Sequence, residues 1–242
     1  FQHGSVDFQV PDSENHMAPA GHVKCISISE HNSAHELIEE FMLAANQFVA
    51  LNLHERSIPS IHRIHEAPDP ARLTGFNEFV DSFKLRLPSP ARSTDLQTLL
   101  KQVQGRSEER VVNTLLLRTM KKARYSETDP GHFCLGFPHY AHFTSPIRRY
   151  PDLILHRLIK KYMKRKCTQK EKKALLSKLA EVSEQSTHME IKAMSIEREV
   201  TDLRRAQFMA DKIGKTFHGI ITGVTGFGFF VELQEVFVEG LV

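Results

Sequence analysis

Arg148 and Arg149 sit side by side in the stretch YAHFTSPIRRYPDLILHRLIKKYMKRK, residues 140–166, shortly after the pair Ser145-Pro146. Ser followed by Pro signals a helix N-terminus, with Ser145 as N-cap and Pro146 as the first helical residue. The positive pole of the helix dipole lies at that end, where each cation costs a few tenths to about 1 kcal/mol. Free N–H groups at such an end bind anions, phosphate above all, and guanidinium forks match phosphate oxygens two at a time. Two readings fit the pair. Either both arginines serve a phosphate site, or one pairs with a carboxylate such as Asp152 while the other is solvated.

Other residue types invite chemistry with less support. The chain has 14 histidines, among them the close pairs His62/His65 and His139/His142. No third ligand follows at a regular spacing, and an alternating strand points His62 and His65 to opposite faces. Solvated or hydrogen-bonded histidines are therefore expected, and no residue is assigned to a metal. Three cysteines, Cys25, Cys134 and Cys167, show no CxxC spacing, which argues against a disulfide framework or a structural zinc site and suits a reducing, cytoplasmic setting. The lysines and arginines from Lys160 to Lys173 could track a nucleic-acid backbone, although a charge run is more often a solvated face.

These residues need elements to hold them. GSVDFQV at 4–10 and HVKCISI at 22–28 alternate as strands, which predicts a pair joined by a polar loop. Ser33 and Glu36 form a capping box ahead of a helix over about 34–52, IHRIH at 61–65 reads as a short strand, and a helix is expected near 71–86. Further helices are expected near 93–103 and from Ser107 to about Arg124, the latter with an acidic first turn and a basic last turn. From about 170 to 211 an apolar stripe at three- and four-residue steps predicts one long helix with a packed face, stopped at Gly214. TFHGIITGV, GFFVEL and VFVEGLV then read as three strands of a small β-barrel. Alternation sets Phe227 and Phe229 on one face and Phe230 on the other unless Gly226 or Gly228 makes a bulge.

With 242 residues, 40% of them apolar, the chain is long enough to bury a sizeable core. Net charge is +3, mild support for an anionic partner. No apolar run approaches the roughly 20 residues of a spanning helix, so no membrane association is expected. Because the chain opens on Phe1 and stops in FVEGLV, a segment of a longer protein is expected.

The motifs YAHFTSPIRRYPDLILHR, GSVDF, AHELIEEFMLAANQFVA, IHRIH, LLLRTMKKARYS, GHFCLGF and GVTGFGFFVEL follow one another along nearly the whole chain. In that order they resemble the ribonuclease II (RNB) superfamily of exoribonucleases, in the pattern of its ribonuclease R branch. The resemblance implies a mixed α/β fold, with residues 1–211 as the C-terminal part of the catalytic domain and 212–242 as the first strands of an OB-type RNA-binding domain. It implies a processive 3'→5' exoribonuclease that hydrolyses single-stranded RNA to nucleoside 5'-monophosphates, acting as a monomer. By the same resemblance Arg148 contacts the phosphates beside the cleaved bond. Arg149 is its catalytic neighbour, at a position where relatives also carry lysine. Tyr140 and Ser145 belong to the substrate site, Phe8 clamps the terminal base, Glu197 lies near the RNA path, and Phe227 or Phe230 stacks on bases.

The family also implies Mg2+ held by a cluster of aspartates. Here Asp7, Asp12, Asp69, Asp81, Asp95, Asp129, Asp152, Asp202 and Asp211 are scattered, so the ligands are expected upstream of residue 1 and the segment alone is expected to be inactive. The alternative is a catalytically inactive RNA-binding or scaffolding module.

Overall fold

The structure is a computed structural model. It describes residues 13–19, 23–28, 32–106, 108–233, 236 and 238–242. Phe8, Ser107 and the strand expected at 4–10 lie outside them.

β1 (Ser13–Met17) pairs antiparallel with β2 (Val23–Ile28), with a bulge between His16 and Met17. The partner of β2 thus lies in a segment expected to be a polar loop. Its near lack of apolar residues hid it, whereas cross-strand bonding, including His16 Nε2 to Ser27 Oγ at 2.6 Å, suits it to a strand. α1 (Ser33–Glu55) buries Asn46, Val49, Ala50 and Leu53, and β3 (His62–Ile64) follows.

α2 (Pro70–Asp81) starts at Asp69, whose carboxylate accepts the Ala71 N–H at 2.8 Å. It stops five residues short of the expected 86. Lys84 takes a left-handed conformation at φ 60, turning the chain back so that Leu85 and Leu87 enter the core. α3 (Ser93–Val103) matches its expected range. α4 (Glu109–Thr119) ends before Arg124 because Met120 turns extended. That frees β4 (Arg124–Ser126) to pair with β3, Ile64 opposite Arg124 and His62 opposite Ser126. A short 3-10 turn at Phe133–Leu135 closes on left-handed Gly136.

α5 (Tyr150–Tyr162) begins five residues after Ser145, which corrects the expected start. Ser145 opens a tight turn instead, its carbonyl accepting the N–H groups of Arg148 at 3.3 Å and Arg149 at 3.0 Å. Arg149, extended at φ −120 and ψ 116, is the N-cap, and Pro151 is the proline of the first turn. Two proline-marked starts compete here, and the one with a carboxylate in its first turn, Asp152, is used.

α6 (Gln169–Ala210) runs 42 residues. Its stripe is buried at Leu179 and Val182, while Met189, Ile196, Val200 and Leu203 are exposed. The continuous packed face expected for the whole helix is therefore confined to its first half among the described residues. Gly214 follows at φ 86, as expected of a glycine beyond a helix end.

β5 (Gly219–Thr225), β6 (Gly228–Leu233) and β7 (Glu239–Leu241) form one antiparallel sheet in that order. Gly228 cannot be replaced there. Its φ is 153, and an added Cβ would lie 2.5 Å from the Val242 carbonyl oxygen. The irregularity in the sheet falls in β5, between Ile221 and Gly223, rather than at Gly226 or Gly228.

The chain divides into two compact units, one built on Ser33–Met189 and the other on Glu190–Val242 with the described residues of 11–32. The first holds two apolar clusters. One gathers α2, α3 and α4 through Leu73, Phe76, Val80, Leu96, Leu99 and Leu116. The second joins α1, α5 and the start of α6 through Leu53, Tyr125, Leu155, Tyr162 and Leu179. Helices and strands together make the mixed α/β fold that the sequence implies.

Candidate functional site

The segment 139–149 has little regular structure, so its backbone groups must find partners elsewhere. Asn46, buried on the apolar side of α1, supplies two: its Oδ1 accepts the Phe143 N–H at 2.8 Å and its Nδ2 donates to the Tyr140 hydroxyl at 3.1 Å. The Arg63 N–H on β3 reaches the Tyr140 carbonyl at 2.9 Å. On α5, His156 bonds to the Phe143 carbonyl at 3.1 Å and stacks on the Phe143 ring, centroids 4.1 Å apart. The segment is thus fastened to a helix on each side and to a strand.

Asp152 holds the next turn. Its side chain is 0% exposed, and a carboxylate out of water must be compensated by charge and hydrogen bonds. Oδ1 accepts from the Ser145 N–H at 2.8 Å and from Arg149 Nη2 at 2.8 Å and Nε at 3.2 Å. Arg149 is therefore committed to an internal ion pair. Arg148 is exposed, and its guanidinium has no hydrogen-bond or ion-pair partner among the described residues. The turn presents it outward on a fixed base.

Electrostatics sharpen this difference. Burial, then the charges of Arg149 and Arg63, with smaller effects from His132 and Arg148, lower the His142 pKa to about 3. Burial, His65 and Arg63 bring His132 to about 3 as well. Both imidazoles are neutral at physiological pH and act as hydrogen-bonding wedges, His142 Nδ1 lying 3.0 Å from the Tyr125 hydroxyl. Arg63 lies over the Tyr125 ring at 4.8 Å. The positive charge around the turn belongs to its arginines.

Of the residues singled out in the sequence, Tyr140, Ser145, Arg148 and Arg149 come together here. Tyr140 is 5% exposed. Its ring meets Phe137, His132 and His142, and burial raises its pKa. It supports the segment from inside and offers no ring face to a base among the described residues. Glu197, on α6, Phe227 and Phe230 belong to the other unit. Glu197 is exposed. Phe227, in the β5–β6 turn, is 78% exposed, whereas Phe230 lies against Gly223 and is partly buried. Within the basic run, Arg165 is tied bidentately to Glu171 at 2.7 and 3.0 Å.

Asn46 and Tyr125 carry much of this geometry and were not singled out. A polar residue on the apolar face of α1 was the available signal for Asn46; nothing local marks Tyr125. The histidine pairs separate in space. His62 and His139 both face Asp129, at 3.3 and 2.7 Å, while His65 and His142 do not. Among the described residues a metal-ligand grouping occurs at His54, Asp129 and His139. Mg2+ prefers an all-oxygen shell, so this imidazole-rich set does not fit it.

Comparison with known proteins bears on the whole chain. The RNB domain family matches residues 1–165. A protein named ribonuclease R from Aquifex aeolicus is 41% identical over 244 residues, covering 100% of this chain and 34% of that protein. The structure described as Mycoplasma genitalium RNase R in complex with ribose-methylated single-stranded RNA superimposes with a TM-score of 0.90 at 30% identity, covering 99% of this chain and 38% of that one. Yeast Ssd1, described as a pseudonuclease, shares the fold at 21% identity, with a TM-score of 0.70 over 88% of this chain and 27% of that one. The chain spans about a third of the length of the curated relative. From its matched residues and shared fold, this chain belongs to the RNB domain family.

Proposed function

We propose that the chain forms the substrate-gripping part of a 3'→5' exoribonuclease that hydrolyses single-stranded RNA to nucleoside 5'-monophosphates. Family membership and relatives named ribonuclease R support the reaction class. A relative observed with RNA supports the substrate. The observation that carries the role of this segment is Arg148: a guanidinium with no partner among the described residues, held outward by a turn whose base is the buried Asp152.

On this reading Arg148 bonds the non-bridging oxygens of the phosphate beside the cleaved linkage, where charge increases toward the transition state. Arg149 acts through Asp152 as a positioning residue, as do Ser145 and Tyr140. Phe8 clamps the terminal base and Glu197 borders the RNA path. The strands after residue 212 begin an OB-type domain that follows the catalytic part, 1–211, and exposed Phe227 suits base stacking better than Phe230 does. Mg2+, when bound, supplies Lewis acidity and an activated water. The described residues give it no oxygen-rich site, so the reading assigns its ligands elsewhere.

Arg148→Ala in the full-length protein tests this. Shortening of a 5'-labelled RNA should slow by roughly 10²–10³-fold, while its dissociation constant in filter binding moves only a few-fold because other contacts hold the strand. Equal losses in both would remove Arg148 from the reacting phosphate. A full-length wild-type protein that binds RNA with salt-sensitive affinity yet leaves it intact in Mg2+ would establish the inactive binding module instead.

A further inference from the structure

We propose that His54, Asp129 and His139, with His62 beside them, form a site for a divalent transition-metal ion, with Zn2+ as the best fit. The residues come from four separate stretches: the last turn of α1, β3, the loop after β4, and the segment leading into Tyr140. Candidate ligand atoms of His54, Asp129 and His139 lie within 4.8 Å of one another. A tetrahedral ion with ligands at about 2.0–2.1 Å holds its donors roughly 3.3 Å apart, so only small side-chain movements are needed.

His62 Nδ1 lies 3.3 Å from Asp129 Oδ2. Its side chain is 7% exposed, and Nδ1 has no aligned hydrogen-bond partner among the described residues. The other ring nitrogen, Nε2, is held by Ser60 Oγ at 3.0 Å, the outer hydrogen bond that orients a ligating imidazole. Asp129 Oδ1 is likewise buried without a partner among the described residues. His54 is exposed and stacks on His139, with ring centroids 3.9 Å apart, which gives the ion a route in from solvent.

Two imidazoles and one carboxylate, with the His62 imidazole next to the carboxylate, suit zinc, and similarly cobalt, nickel or copper, far better than magnesium or calcium. Binding replaces the hydrogen bond between His139 Nδ1 and Asp129 Oδ2 at 2.7 Å and releases its proton to solvent. The ion would brace the 139–149 segment from the end opposite the arginine turn, a structural role separate from the Mg2+-dependent chemistry proposed above.

The test uses untagged, chelator-treated full-length protein titrated with Co2+ and then Zn2+. One equivalent of Co2+ should give the visible bands of a tetrahedral nitrogen and oxygen site, without a sulfur charge-transfer band, and Zn2+ should displace it and raise Tm by about 5 °C. Both His54→Ala and His139→Ala should weaken binding at least roughly tenfold. His54→Ala decides alone if His139→Ala fails to fold, because residue 54 is exposed. Absence of the bands and of the Tm shift in the wild type, or bands unchanged in His54→Ala, would reduce the cluster to a hydrogen-bonded Asp–His network. An equal Tm shift with Mg2+ would overturn the donor-set argument.

Discussion

The two apolar clusters of the Ser33–Met189 unit differ in what is buried with them. The buried residues of the cluster of α2, α3 and α4 are Leu, Val, Phe, Ala and Met; beside it on α4 lie buried Asn113 and Thr119, the Thr119 hydroxyl turning back to its own helix at Leu116. Along α1 and α5, by contrast, the apolar residues of the second cluster alternate with buried Asn46 and Asp152, each bonded to the segment that carries Arg148 and Arg149. Hydrophobic burial has no direction and tolerates many arrangements. A buried amide or carboxylate accepts only one geometry, because unmet hydrogen bonds are costly. The first cluster stabilises the unit; the second also aims a side chain.

Asp152→Ala is expected to break this comparison most severely. Removing the buried carboxylate that pairs with Arg149 should cost about 3–5 kcal/mol in urea unfolding and release the turn at Ser145, lowering RNA turnover even where the protein remains folded. A cost below about 1 kcal/mol would mean that the polar node is ornamental. Leu116→Ala, in the apolar cluster, should cost about 2–5 kcal/mol yet leave turnover near wild type well below its melting temperature. Lost turnover there would erase the distinction.

Acid should separate the two clusters further. His132 and His142 titrate near 3 in the folded protein and near 6.5 when unfolded, so between these values the unfolded chain binds more protons. Their contribution is complete above pH 6.5 and is lost as pH falls toward 3, by at most about 1.4 kcal/mol per pH unit for each histidine. Tm should fall from pH 7 to 5. His142→Gln should flatten that fall, whereas Leu116→Ala should lower the curve without changing its slope. The smallest effect belongs to Arg148→Ala, whose stability should stay within about 0.5 kcal/mol of wild type, in contrast to its catalytic loss.

Legibility in the sequence followed the range of the forces. α1, α3 and α6 were found by period and caps, since helical hydrogen bonds are local. The ends of α2 and α4 were missed because Leu85, Leu87 and Tyr125 are drawn into cores built by distant residues, which cut short helices that local propensity would extend. β1 carried too little apolar alternation to be seen apart from its partner. For the site, the residue types at 145–152 announced an arrangement for anions or an internal ion pair, and Asp152 stood among the possible partners.

The sequence by itself determined the family, the mixed α/β class, the long helix and the place of the arginine pair, all of which reside in contiguous motifs. Tertiary structure alone decided which arginine is spent on Asp152 and which faces outward, that Tyr140 lies inside, and that His54, His62, Asp129 and His139 meet. Those outcomes depend on burial and on contacts between segments far apart in the chain, and neither is encoded in the spacing of neighbouring residues.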